Sequence, residues 1–290
     1  MPMKPYGNIP LPTMTPYLIS LMKTGRVYDL GTVRSHDMPL WSGHPPFRVL
    51  PYKWHGSTDD ITPPGTLFND MVITTTHAGT HMDAFNHIGE IQNGKIFLKA
   101  FQGEDIPADT TREWWGSNWM DASKFHPIIL RAVILDMLKY KGGVDTGGEQ
   151  TLPRKYEITP EDIKSCMAKN NIAVKPEEPT AFLIRTGMIK YFNKRADNYG
   201  GDAAGPGIPA EEYMFSIGGR VTGSDTVSYE QMLVGEHPVH RWMNKHGILM
   251  NEVLDMEEVC ANGVTEGVYI ACPLKLKGAS GSLIDPIVIC

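Results

Sequence analysis

The order of hydrophobic and polar positions along this 290-residue chain predicts many short strands separated by turns. Apolar runs rich in β-branched residues, and bounded by glycine, proline or polar residues, are typical of strands in a packed sheet. Such runs occupy residues 26–30, 71–76, 131–137, 180–186, 247–255, 267–276 and 284–289. We therefore expect these segments to supply the sheet of the fold.

Capping signals predict two helices between these strands. Thr159 is a typical N-cap because Pro160 follows it at the first helical position and acidic residues occupy the first turn. A second helix is predicted over residues 238–246, with Gly247 as its C-terminal cap. The strands come in neighbouring groups rather than in strict alternation with helices, which argues against a regular doubly wound sheet. The pattern therefore predicts an α/β fold.

Neither repeats nor low-complexity blocks divide the chain, so we predict one domain over residues 1–290, with 1–25 as an N-terminal arm. The apolar run near the N-terminus is interrupted by prolines, which makes it a poor signal peptide. Nothing approaches the roughly 18 apolar residues that a membrane span requires. We therefore expect a cytoplasmic protein with no membrane partner.

Composition narrows the class of partner. The net charge is −6, and lysines and arginines are scattered singly, so the sequence has no basic surface for nucleic acid or anionic membranes. A small-molecule substrate is the expected partner. The four cysteines show neither CxxC pairs nor the spacing of a disulfide framework, and we interpret them as buried thiols in a reducing compartment.

A histidine cluster carries the clearest chemical signal. His77, His81, Asp83 and His87 lie within eleven residues of a chain that has ten histidines. A helical arrangement of the first two histidines is disfavoured because Gly79 lies between them. We expect a strand that His77 closes, followed by a tight loop that folds His81 and Asp83 back toward it. Imidazole and carboxylate together are ligands for Zn²⁺ or Mn²⁺, whereas the alternative is a set of surface or structural histidines.

Glu252 gives a second indication of a cation. If residues 248–254 form a strand, Glu252 shares one face with the apolar residues Ile248 and Met250. A carboxylate in an apolar row needs a strong partner, and a cation is the simplest one. His240, on the preceding helix, is then a candidate companion ligand. The alternative is that the opposite face is buried and Glu252 is solvated.

The cluster also resembles a family signature. Residues 77–87 match the pattern HxGTHxDxPxH of the metal-dependent cyclase-like hydrolase family, which includes bacterial kynurenine formamidases and isatin hydrolase. Phe85, in place of proline, is the one departure. Residues 38–47 and 272–289 are also similar to family segments, so the resemblance covers most of the chain.

This resemblance implies a swivelling β/β/α domain, with a mixed sheet or barrel-like core and flanking helices, assembled as a homodimer or homotetramer. It implies that His77, His81 and Asp83 hold a first metal and that Asp83 bridges to a second metal held by His240 and Glu252. It also implies that His87 is the acid/base, and Glu252 is a second catalytic candidate. Isatin hydrolase works with one manganese ion, so the choice between one and two ions remains open.

The expected chemistry is hydrolysis of a C–N or C–O acyl bond, in a formamide, lactam or lactone, by metal-activated water. Trp41, Phe47 and Phe85 are candidates to stack on a flat substrate ring. His36 and His44 share the early loop and could touch substrate, although loop histidines are more often solvated. Two alternatives stay open: a lyase or cyclase that uses the same metal, and a non-catalytic metal-binding protein.

Overall fold

A mixed sheet of nine strands organises the protein. The computed structural model describes residues 3–56, 62, 64–101, 103–192, 194, 199–232 and 236–290. Within these ranges the strands are β1 (Val27–Asp29), β2 (Arg48–Lys53), β3 (Asn69–Ile73), β4 (His81–Asp83), β5 (Gly89–Gln92), β6 (Lys95–Leu98), β7 (Ile106–Pro107), β8 (Arg112–Glu113), β9 (Gly116–Ser117), β10 (Ile128–Asp136), β11 (Val144–Asp145), β12 (Gln150–Thr151), β13 (Glu157–Ile158), β14 (Thr180–Arg185), β15 (Gly205–Pro206), β16 (Gly219–Ser224), β17 (Leu249–Glu252), β18 (Glu266–Ala271), β19 (Gly281–Leu283) and β20 (Ile287–Ile289).

The helices of the described ranges lie mainly in the second half of the chain. They are α1 (Pro16–Leu21), α2 (Met137–Lys141), α3 (Pro160–Lys169), α4 (Ile208–Ser216), α5 (Pro238–His246) and α6 (Glu257–Ala261), with short 3₁₀ turns at Ala108–Thr111, Ala122–Lys124 and Met188–Tyr191. None of these helices has the length and apolarity that a membrane span requires.

The central sheet has the strand order β1-β20-β18-β10-β14-β16-β17-β4-β19. The four middle strands, from β10 to β17, run parallel, whereas the pairs outside them are antiparallel. The parallel strands are linked by α3, α4 and α5, because a parallel connection needs a crossover and a helix is its usual form. The sequence prediction of an α/β fold with a mixed sheet and flanking helices is confirmed.

Two hydrophobic cores cover the two faces of this sheet. Side chains alternate along β10, so that Val133 and Leu135 pack against the helices α3, α4 and α5, whereas Ala132 and Ile134 pack on the other face. The core on the face of Ala132 and Ile134, called the second core below, contains residues from both ends of the strand order, including Tyr28 of β1, next to β20. Strands from opposite ends can share one core only because the sheet curls around it into a half-barrel.

Capping determines where two helices begin or end, as the sequence predicted. Thr159 and Asp162 form a reciprocal capping box at the start of α3, with Pro160 at the first helical position. Gly247 ends α5 in the left-handed conformation, with φ of 65°. Both predicted helices are therefore confirmed, and α5 carries His240.

The path of the chain before the histidine cluster differs from the prediction. Strand β3 ends at Ile73 rather than at residue 76, and the side chains of Met71 and Ile73 are about half exposed, whereas His77 is buried. The hydroxyl of Thr75 accepts a hydrogen bond from the His77 amide at 3.2 Å, which forms a turn instead of a continued strand. His77 thus belongs to a loop and does not close the strand.

The thiol prediction was half wrong. Cys166 and Cys260 are buried, whereas Cys272 is exposed and Cys290 is intermediate; all four are free. Cys272 lies just beyond the end of β18, where the chain leaves the sheet, and Cys290 is the C-terminal residue. Burial of Cys166 and Cys260 raises the pKa of both thiols, so neither is a reactive thiolate at neutral pH.

Candidate metal centre

Strand β4 places two candidate ligands on one side of the sheet. His81 and Asp83 are two residues apart, so both side chains project from the same face, whereas Met82 between them enters the core and is 0% exposed. The sequence had assigned His81 and Asp83 to a loop. This strand escaped prediction because it has only three residues, two of them polar, and is defined by its partners β17 and β19.

The register between β17 and β4 brings Glu252 to the same place. Glu252 pairs directly with His81, and its carboxylate Oε2 lies 3.2 Å from His81 Nε2. Glu252 is 6% exposed, which agrees with the expected position on the face of Ile248 and Met250 rather than with a solvated carboxylate. Two residues far apart in the chain, His81 and Glu252, therefore meet through sheet pairing.

The loop that carries His77 is held by the residues around it. Thr80 and Thr32 exchange hydrogen bonds at 3.0 Å or less, and the Arg34 guanidinium donates to the carbonyl of Ala78 at 3.0 Å. The ring of His77 also approaches the backbone of Gly281 closely. A Cβ atom at Gly281 would lie 2.7 Å from His77 Cε1, so only glycine leaves room for the ring.

Asp83 lies at the centre of the cluster, and its two oxygens face different ligands. Oδ1 lies 2.9 Å from His77 Nδ1 and 3.5 Å from His81 Nε2. Oδ2 lies 3.7 Å from the Nε2 atoms of both His87 and His240. Burial alone would raise the pKa of Asp83, but the neighbouring His87 and His77 hold it well below its usual range. Asp83 is therefore ionised and shared between two groups of ligands.

Three groups of three ligand atoms converge among the described residues: one consists of Glu230, His237 and His240, and the other two share Asp83. Of these two, the first is formed by His77, Asp83 and His87, and the second by Asp83, His240 and Glu252; within each group the ligand atoms lie within 4.8 Å of one another. His81 Nε2 lies between them, 3.5 Å from Asp83 and 3.2 Å from Glu252. Nitrogen and carboxylate oxygen donors at such spacing fit a transition-metal ion such as Zn²⁺ or Mn²⁺.

Hydrogen bonds set the imidazoles in the orientation that ligation needs. His81 Nδ1 donates to the carbonyl of Gly79 at 2.7 Å, which leaves Nε2 directed at the carboxylates. His240 Nδ1 donates to Glu230, and its Nε2 lies 3.3 Å from Glu252. Against the effect of burial, the hydrogen bonds to Glu230 and Glu252 raise the pKa of His240 to about 10. An ion bound at Nε2 would therefore displace a proton from His240.

Burial dominates the electrostatic environment of His87. It lowers the pKa of His87 to about 3, below the usual value of a histidine, despite the nearby Asp83. Its ring stacks on that of His77, with centroids 3.9 Å apart. His87 is thus neutral at physiological pH, and burial makes it a weaker base than an ordinary histidine.

A cavity of about 140 Å³ opens onto this cluster. Its lining combines the candidate ligands with a few further side chains: Trp41, His44, His77, His81, His87, Ile88, Val227, Ser228, His237, His240 and Glu252. Trp41 and His44 come from the early loop, as the sequence suggested. The cavity volume suits a small molecule, and the lining offers one aromatic wall.

Phe85 and Phe47 lie away from this cavity, and their expected role as substrate contacts is corrected. Phe85 is 1% exposed and stacks on Tyr6 of the N-terminal arm, with ring centroids 4.7 Å apart. Phe47 is buried in a separate cluster with Met38 and Ala78. Both rings pack in hydrophobic clusters. Their closeness to the histidines in the sequence could not indicate this.

Sequence reasoning gave too little weight to His44 and overlooked Glu230. His44 was expected to be a solvated loop residue, but its ring lies 5.7 Å from that of His77, and burial together with His77 lowers its pKa. His36, its companion on the loop, is exposed and accepts from the Val49 amide at 3.2 Å. The signal for Glu230 is only a nearby HPVH segment that carries His237 and His240.

Comparisons with known proteins agree with this architecture. Residues 28–231 match the model of the Cyclase family, described as "Putative cyclase". A crystal structure described as a novel cyclase superposes with a TM-score of 0.81 at 20% identity, covering 96% of this chain and 92% of that chain. No curated protein matches the sequence.

Two hydrolases have similar folds. Isatin hydrolase A from Labrenzia aggregata, bound to benzyl benzoate, gives a TM-score of 0.62 at 20% identity, covering 94% of this chain and 98% of that chain. A predicted metal-dependent hydrolase from Bacillus stearothermophilus gives 0.54 at 18% identity, covering 91% and 97%. At these identities the likeness establishes the fold, and the activity must be argued from the residues.

Proposed function

The chain belongs to the Cyclase family, whose model matches residues 28–231, and on that premise we propose that it is a metal-dependent hydrolase of a small cyclic or aromatic substrate. The proposed reaction cleaves a C–N or C–O acyl bond in a formamide, lactam or lactone. One observation carries the proposal: the ionised, buried Asp83 is shared by two groups of converging ligand atoms that face a cavity.

The donor set supports two divalent ions, Zn²⁺ or Mn²⁺. His77 and Asp83 would hold one ion, and Asp83, His240 and Glu252 the other, while His81 lies close enough to contribute to either. His87, at the edge of the first position, is left free to carry a proton. A bound divalent ion would lower the pKa of water from 15.7 toward 7 and polarise a substrate carbonyl oxygen. That chemistry removes the need for a protein nucleophile.

His87 is the residue proposed to move the proton. Burial keeps its ring neutral, and its Nε2 lies 3.7 Å from Asp83, at the edge of the ligand cluster and on the cavity wall. A neutral imidazole there can take a proton from attacking water and return it to the leaving nitrogen or oxygen. General acid/base work of this kind accelerates a reaction roughly 10²- to 10⁴-fold. The stacked ring of His77 fixes its orientation.

The rest of the cavity supports a flat, compact substrate. Trp41 offers an aromatic wall, and Ile88 and Val227 add apolar surface. The volume of about 140 Å³ favours a single small ring system over an extended chain. The solved isatin hydrolases of the same fold are consistent with such a substrate. A cytoplasmic location and a homodimer or homotetramer stay predictions.

The experiment compares one enzyme preparation with and without metal. The protein is stripped with a chelator, Zn²⁺ or Mn²⁺ is added back, and ring opening or deformylation is followed on isatin, N-formylkynurenine and a lactone panel. We expect turnover that depends on added metal and is lost in H87A, although H87A still binds metal. Equal activity of stripped and loaded enzyme would contradict the proposal, and products formed by elimination of water would point to a lyase instead.

A further inference from the structure

Glu230 is a buried carboxylate behind the cavity that the proposed reaction does not use. It is 2% exposed, and its contacts are nitrogen donors. Oε2 accepts from the Val239 amide at 2.8 Å, while Oε1 accepts from the Nδ1 atoms of His240 and, at 3.2 Å, of His237. Burial opposes ionisation, but the hydrogen bonds from His237 and His240 lower the pKa of Glu230 to about 2.

The contact with His240 decides which nitrogen of that ring faces the cavity. A neutral imidazole carries one proton, and the nitrogen that donates to a carboxylate keeps it. When His240 gives up one proton to bind metal, Nδ1 keeps its proton because it donates to Glu230, and the lone pair is left on Nε2, which lies 3.3 Å from Glu252 and 3.7 Å from Asp83. This is the nitrogen that a metal ligand must offer.

The contact with Val239 fixes the helix that carries His240. Val239 lies in the first turn of α5, whose N-cap residue, His237, has φ of 44° and makes no side-chain capping bond. Glu230 therefore supplies both the missing acceptor and a negative charge at the helix N-terminus. One carboxylate sets where the helix starts and how the ligand ring is turned.

We propose that Glu230 is a positioning residue for the metal position formed by Asp83, His240 and Glu252, and that it acts through His240. This inference rests on the proposed function, because it assumes that the position holds an ion. Carboxylate partners of metal-binding histidines typically contribute 10- to 100-fold to metal affinity. The position on the His77 side of Asp83 does not include Glu230, so its affinity should not depend on that carboxylate.

The test measures binding of Zn²⁺ alone to chelator-stripped full-length protein, by titration calorimetry with elemental analysis. We expect wild type to bind two ions, and E230A to bind one of them 10- to 100-fold more weakly. E230Q should lose less affinity, because an amide oxygen still accepts from His240 Nδ1. E211Q is the matched control: Glu211 is also fully buried, but its carboxylate bonds Tyr229 instead, and affinity should stay unchanged.

A second readout separates positioning from general destabilisation. ¹⁵N NMR of the zinc-loaded protein should show His240 protonated at Nδ1 in wild type, and a mixture of ring forms in E230A. Thermal unfolding identifies variants that fail to fold. If E230A does not fold, the isosteric E230Q carries the test, with a smaller but measurable loss of affinity for one ion.

Several results would overturn the inference. Unchanged affinity for both ions in a folded E230A would do so, as would wild-type protein that binds fewer than two ions. A third ion, lost in E230A, would mean that Glu230 coordinates metal itself. Turnover that ignores added metal would contradict the proposed function but not the loss of affinity in E230A, so the two failures can be told apart.

Discussion

Replacing Phe85 with alanine should destabilise the fold while leaving the cavity intact. The ring is 1% exposed, packs in the second core, and stacks on Tyr6 at an interplanar angle of 18°. Truncating a buried phenylalanine costs roughly 3–5 kcal/mol of unfolding free energy, which includes the cost of the empty space left in the core. Since 1 kcal/mol shifts the melting temperature of a large domain by roughly 2–4 °C, F85A should melt on the order of 10 °C lower.

Denaturant unfolding of chelator-treated F85A and wild type measures this loss without stabilisation by bound metal. W114A is the control, since Trp114 is 95% exposed and its removal should change the unfolding free energy by about 0.5 kcal/mol or less. Below the melting transition, the KM of F85A for any accepted substrate should match that of wild type. A tenfold rise in KM together with a loss of stability below about 1 kcal/mol would refute the assignment of Phe85 to the core.

Three further predictions test the site and its surroundings. Burial raises the pKa of Glu211 from 4.5 to about 8. As pH rises between those values, the unfolding free energy of wild type should therefore fall relative to that of E211Q by roughly 1.4 kcal/mol per pH unit. Melting curves at several pH values measure this difference, and a difference that does not change with pH would contradict the prediction. H87A should keep its metal in elemental analysis but lose turnover by roughly 10²- to 10⁴-fold, and loss of both ions would make His87 a ligand essential to both positions. G281A should weaken metal binding about tenfold or more in calorimetry because its Cβ displaces the ring of His77, whereas the control G43A, with only a 3.9 Å contact, should bind as wild type does.

The strands of the central sheet that are buried on both faces were predictable from the sequence. Residues 132–135 and 181–184 are continuous apolar runs because β10 and β14 are covered by helices on one side and by the second core on the other. The helices α3 and α5 were equally predictable, because their caps are local features of a few residues. Such local patterns can be recognised without knowing the rest of the fold.

The short strand that carries the site could not be found in the same way. His81–Asp83 is a strand only because β17 and β19 pair with it, and such partners lie about 170 to 200 residues away in the chain. The role of Phe85 was mispredicted for a related reason. Its ring packs on Tyr6 of the N-terminal arm, and closeness to the histidines in the sequence does not show which way a side chain points.

The candidate ligands were predictable because their residue types are chemically restrictive. A row of histidines with an aspartate has few uses other than metal binding, and Glu252 on an apolar strand face needs a cation. Glu230 could not be found, because a glutamate in a loop is ordinary until its position behind His240 is known. The candidate ligands could therefore be predicted from the sequence, whereas Glu230, the residue proposed to orient one of them, could not.

Metal content per chain is the most direct test of the shared carboxylate. Wild-type protein loaded with Zn²⁺ or Mn²⁺ and then dialysed should contain two ions per chain by elemental analysis, and D83A should retain neither at micromolar metal, because both groups of ligands include Asp83. Wild-type protein without bound metal, or D83A with the same content as wild type, would contradict the account.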